Sequence, residues 1–169
     1  MLAATSLALS PAAGQAEDTP VVAAIEAAYL TKFPDFVTWP PAPVPEQSAE
    51  DLCVLAPDPV ARLIEQAEAK LPTEARHAPV RRLHALGEAT GCRVLFIGDS
   101  ALDPAAAMPT PVPMLVVTDQ APAGHKGVIN FVIQDDHVRF EIDDAEAGRR
   151  GIAISSKLLS LAVAVTPRT

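Results

Sequence analysis

Apolar runs of four or five residues alternate along this chain with stretches in which apolar positions recur at helical spacing. Pro20 to Phe33 is Ala-rich with that spacing, and Pro20 suits the first turn, so a helix is predicted there. Pro34 should end or kink it, Pro40 should close the segment, and the Pro-rich stretch to Asp51 should be loop. Leu52 to Ala56, followed by Pro57-Asp58-Pro59, predicts a buried strand with its exit turn, and Val60 to Lys70 an amphipathic helix. Val80 to Leu83 suits an edge strand. Arg93 to Ile97, followed by Gly98-Asp99-Ser100, is the strongest strand signal, and Met114 to Asp119 repeats its pattern.

The end of the chain is organised differently. Gly127 to Ile133 and Val138 to Ile142 are separated only by Gln134-Asp135-Asp136-His137, too short for a parallel crossover, so a hairpin is predicted. Asp143 or Asp144 can cap a helix through Arg150, and a last helix should start at Ile154 or Ser155 and run through Leu161 and Val163. Together these elements predict one α/β domain over residues 20–165. Its sheet should be mixed and mostly parallel, flanked by helices on both faces, with the antiparallel hairpin near the C-terminus.

Composition narrows the function. A net charge of −8, from 13 Lys and Arg against 21 Asp and Glu, disfavours nucleic acid as a partner; Arg81-Arg82 and Arg149-Arg150 read as solvated edges. Residues 1–16 are uncharged, Ala- and Leu-rich, and end in Gly14-Gln15-Ala16, which reads as a signal peptide without its positive start. Of the two cysteines, Cys53 and Cys92, secretion implies one bridge, whereas a reducing compartment implies two buried thiols. If the strands at 52–56 and 93–97 are neighbours, about 4.8 Å apart, the two cysteines fall near matching ends and the bond is possible.

The candidate chemistry is thin. Gly98-Asp99-Ser100 at a strand end resembles the nucleophile block of GDSL-type esterases, but the block lies mid-chain and His137 sits in a hairpin turn, so the triad is incomplete. His77, His84, His125 and His137 occur singly, without metal-ligand spacing. No glycine pattern cradles a phosphate, and Asp119 lacks the acidic partners of a magnesium-binding phosphoacceptor and reads as a turn residue. No cofactor and no enzymatic activity are expected. A small ligand could enter a crevice at the carboxyl ends of the strands, near Pro57, Gly98 and Asp119. Phe33, Phe36, Val37 and Trp39 gather three of the few aromatics beside the Pro-rich loop; they can be core packing or anchors for a partner.

Six blocks resemble the YfiR family in the family's order: Ala28 to Phe33 with Phe36 to Pro40, then Leu52 to Leu55, Gly91 to Gly98, Val128 to Phe131, Val138 to Ile142 and Gly151 to Leu159. They cover nearly all of the expected mature chain. The resemblance implies a periplasmic protein, a homodimer in many members, that binds the periplasmic domain of a membrane diguanylate cyclase or another sensor protein and holds it inactive. An outer-membrane lipoprotein can sequester such a repressor, so the output is cyclic di-GMP and biofilm formation. Phe33, Phe36, Val37, Trp39, Glu141 and Ile142 are the candidate partner contacts. The chain departs from the family in lacking a second cysteine pair and in having Lys126-Gly127-Val128 where Gly-Gly-Met is common.

Overall fold

In the computed structural model, which describes residues 18–41, 51–75, 79–98 and 107–168, the apolar runs form the centre of a seven-stranded sheet. The strands in chain order are β1 (Val37–Thr38), β2 (Asp51–Leu55), β3 (Arg81–Arg82), β4 (Cys92–Ile97), β5 (Leu115–Asp119), β6 (Ile129–Gln134), β7 (His137–Asp143), β8 (Ala153–Ile154) and β9 (Ala164–Thr166). The large sheet runs β3-β2-β4-β5-β6-β7-β9; its first five strands are parallel, β6 and β7 are antiparallel, and β9 returns parallel to β7. The signal segment, the Gly98-Asp99-Ser100 block beyond Gly98, and His77 lie outside the described residues.

The mixed, mostly parallel sheet and its hairpin match the expectation. Asp135 and Asp136 turn the hairpin with φ of 49° and 58°, the pair of positive values that a two-residue turn of matching twist requires. The small antiparallel sheet of β1 and β8, the length of the last helix and strand β9 are not in the sequence pattern. The last helix is a single turn, and the chain beyond it adds the edge strand β9, whose three residues are all exposed.

The helices are α1 (Asp18–Leu30), α2 (Asp58–Ala69), α3 (Asp144–Arg149) and α4 (Ser156–Leu159). Asp143 caps α3 by accepting the Glu146 N–H at 2.7 Å, and Ser155 caps α4 by accepting the Leu158 N–H at 3.3 Å. Their apolar residues join one core: Ala27 and Leu30 of α1, Ala61 and Ile64 of α2, Ala147 of α3 and Leu158 of α4 pack with Val54, Phe96, Val117, Phe131 and Ile142. The expectation of helices on both faces is thus refined: among the described residues the four helices share this core. The opposite face, with Leu55, Leu95, Ile97 and Val116, is covered by Leu83, Leu86, Ala89, Met108 and Met114.

Strand β4 feeds both faces by alternation, Val94 and Phe96 to one and Leu95 and Ile97 to the other. Cys92 breaks the rule, since its parity is that of Val94 yet it lies on the face of Leu95. The cause is a bulge. Asp51 to Leu52 is one step along β2, while the partners Cys92 to Val94 are two steps along β4. The extra residue turns Cys92 to the side of Cys53, and the two form a disulfide across neighbouring parallel strands, Cα to Cα 5.8 Å.

Candidate functional site

Helix α1 is apolar almost all round: between Pro20 and Leu30 its one charged residue is Glu26. A helix of this composition normally lies inside a core. Here its polarity is inverted. Glu26 is 3% exposed and faces the protein, while Val21 is 59% and Ile25 41% exposed. Burial, and after it the charge and hydrogen bond of Asp119 at the end of β5, push the Glu26 carboxyl up to about 8. At neutral pH Glu26 is therefore protonated and joins α1 to the sheet by donating to Asp119. Asp119 is accordingly a pairing residue rather than the turn residue read from the sequence.

The outward face of α1 forms one wall of an apolar groove of ≈ 760 Å³. Val21, Ala24, Ile25 and Ala28 line that wall; Tyr29, Phe33, Phe140 and Leu158 line the groove further in, with Leu161 also contributing. The inner part is an aromatic stack, with ring centroids 5.2 Å apart for Phe33 and Phe140 and 5.7 Å for Tyr29 and Phe140. Lys32 and Phe36 lie at the C-terminal end of α1. That end is held by the small β1-β8 sheet, where Val37 pairs with Ile154 and the Ser155 N–H bonds the Phe36 carbonyl at 2.9 Å. The Lys157 ammonium lies 5.6 Å from the Phe36 ring.

The six candidate contacts separate. Phe36 lines the groove. Phe33 lines the groove further in and packs into the core at 1% exposure, and Ile142 is a core residue, likewise 1% exposed. Val37 is half-buried in β1, and Trp39 is half-buried with the Arg93 guanidinium 4.5 Å from its ring. Glu141 pairs with Lys126 at 2.6 Å. The groove residues Val21, Ala24, Ile25, Ala28 and Leu161 were not singled out from sequence, although a helix with no polar face was the available signal.

Two of the residues expected at a crevice make contacts within the domain. Gly98 donates its N–H to Leu55 at 2.9 Å, and a Cβ there would lie 3.1 Å from that of Ala56, while Asp119 faces Glu26. Among the described residues no three His, Cys, Asp or Glu side chains gather as a metal site. Arg81 lies over the disulfide, its Nη2 3.0 Å from Cys92 Sγ and 2.9 Å from the Thr90 carbonyl it donates to.

A family model described as YfiR/HmsC-like matches residues 23–163, which takes in the groove lining except Pro20 and Val21, the disulfide and every described strand except β9. No curated protein matches the chain.

Proposed function

The chain belongs to the YfiR/HmsC-like family, and on that premise we propose that it is a periplasmic regulator whose α1 groove binds the sensor domain of a membrane diguanylate cyclase and represses it. Family membership supports a regulatory role in cyclic di-GMP signalling. The observation that carries the docking reading is the inverted polarity of α1, which keeps an acid inside and exposes Val21 and Ile25 beside an aromatic-floored groove. The disulfide is consistent with an oxidising compartment such as the periplasm.

Repression of this kind is a binding equilibrium. The cyclase is held inactive only to the extent that the regulator binds its inactive state better than its active one; a tenfold difference biases the equilibrium by about 1.4 kcal/mol. Removal of the regulator, by a lipoprotein of the outer membrane or by its own pairing into a homodimer through the same face, would release the cyclase.

The test is cyclic di-GMP in cells deleted for this chain and complemented with variants. Deletion should raise the nucleotide, and the wild type should restore it. Ile25→Asp and Val21→Asp should fail to restore it while melting within a few degrees of the wild type. Full complementation by both variants would remove the groove from the mechanism.

A further inference from the structure

The chain has a net charge of −8, from 13 Lys and Arg against 21 Asp and Glu. Arg82, Lys126, Arg149, Arg150 and Arg168 each lie within 3.0 Å of a carboxylate. Lys32 and Lys157 do not: among the described residues neither has an anionic partner, and both stand beside Phe36 at one end of the groove. The groove's lining from α1 is uncharged and falls at positions 20, 24 and 28 and at 21, 25 and 29, two adjoining i, i+4, i+8 rows, with Lys32 just beyond the helix end. Ala24 and Ala28 form a low row beside the larger Val21, Ile25 and Tyr29. Thirteen residues of α1 span about 20 Å at 1.5 Å each, the length of three to four turns.

We propose that the occupant of the groove is an amphipathic helix of the partner, three to four turns long, with acidic side chains at the end that lies against Lys32 and Lys157. Apolar residues at i, i+3 or i+4 and i+7 of that helix fill the groove, and the two ammonium groups select its direction. This rests on the docking reading above and adds to it the chemistry of the partner.

Two designed 14-residue peptides test it, sharing one apolar face and differing only in three glutamates or three lysines at one end. Their binding to the full chain is measured by fluorescence anisotropy at low and high salt. The acidic peptide should bind about fivefold or more tightly than the basic one, as two exposed ion pairs allow, with the preference shrinking in salt. The double variant Lys32→Glu with Lys157→Glu should reverse the preference without changing the melting temperature. Equal binding of the two peptides, or binding of neither, overturns the proposal. If Ile25→Asp still fails to restore repression in cells in that event, the docking reading stands and only the helical, acidic occupant falls. Binding of dodecanoate in place of either peptide would assign the groove to an acyl chain. Concentration-dependent dimers lost in Ile25→Asp, with no peptide bound, would assign it to a second copy; both outcomes overturn the proposal.

Discussion

Helices α1 and α2 pack against each other and contribute to the same core, yet their polarity is opposite in kind. In α2 the buried positions Ala61, Ile64 and Glu68 follow the helical period, and the outward side is polar, with Asp58 and Glu65 gripping Arg82 of the neighbouring edge strand at 3.0 and 2.7 Å. Burial within the domain accounts for that pattern. Each helix buries a glutamate, Glu26 in α1 and Glu68 in α2, but in α1 the outward set includes a valine and an isoleucine, which internal packing does not require. The difference teaches that the outward polarity of α2 follows from packing within the domain, while that of α1 does not.

The sharpest break between them is in stability. Ile64→Ala in α2 should cost about 2–5 kcal/mol, the usual range for emptying a core site, as read from the urea midpoint. Replacing both Cys53 and Cys92 with alanine opens a loop of sequence separation 39 and should cost roughly 2–4 kcal/mol. Because the bridge lies with the core on the other face of the sheet, peptide binding at the α1 groove should persist below the lowered melting temperature. Loss of binding in the folded variant would couple the two faces.

Glu26 gives α1 a pH signature that Ile64 cannot give α2. Its carboxyl titrates near 8 in the folded chain against an ordinary 4.5, so the folded state holds the proton more tightly than the unfolded one. The stabilisation is fully present below pH 4.5, declines as pH rises, and is gone above about 8. Melting temperature should therefore fall between pH 5 and 8.5 more steeply in the wild type than in Glu26→Gln, which keeps a donor toward Asp119; parallel slopes would refute the assignment. The smallest effect should come from Ile25→Ala, under about 1 kcal/mol in urea. A cost of the size seen at Ile64 would make α1 an ordinary core helix.

Much of the fold was legible because each strand carries its own signal. Val94-Leu95-Phe96-Ile97 and Leu115-Val116-Val117 are apolar at consecutive positions, as burial on both faces demands, and the short Asp135-Asp136 link left a hairpin as the one possible connection. The edge strand β9 was hidden because Ala164-Val165-Thr166 is too short for a period. Of the contact candidates, Phe33 and Phe36 line the groove, Phe33 from the core side, whereas Ile142 lies in the core, since an aromatic or aliphatic residue looks the same in sequence whether it packs inward or outward.

The sequence by itself determined the alternation of elements, the hairpin, the single α/β domain and the possibility of one disulfide, all of which depend on local periodicity and on turn length. Only the tertiary structure decided which way two features face. A one-residue bulge at Cys92 reverses its side of the sheet and brings it to Cys53, and packing of Ala23, Ala27 and Leu30 into the core leaves Glu26 inward beside Asp119 and Ile25 outward. A helix apolar on nearly every side has no preferred face until something packs against it, and in α1 the face that carries Ala23, Ala27 and Leu30 into the core also carries Glu26, which meets Asp119 more than ninety residues away.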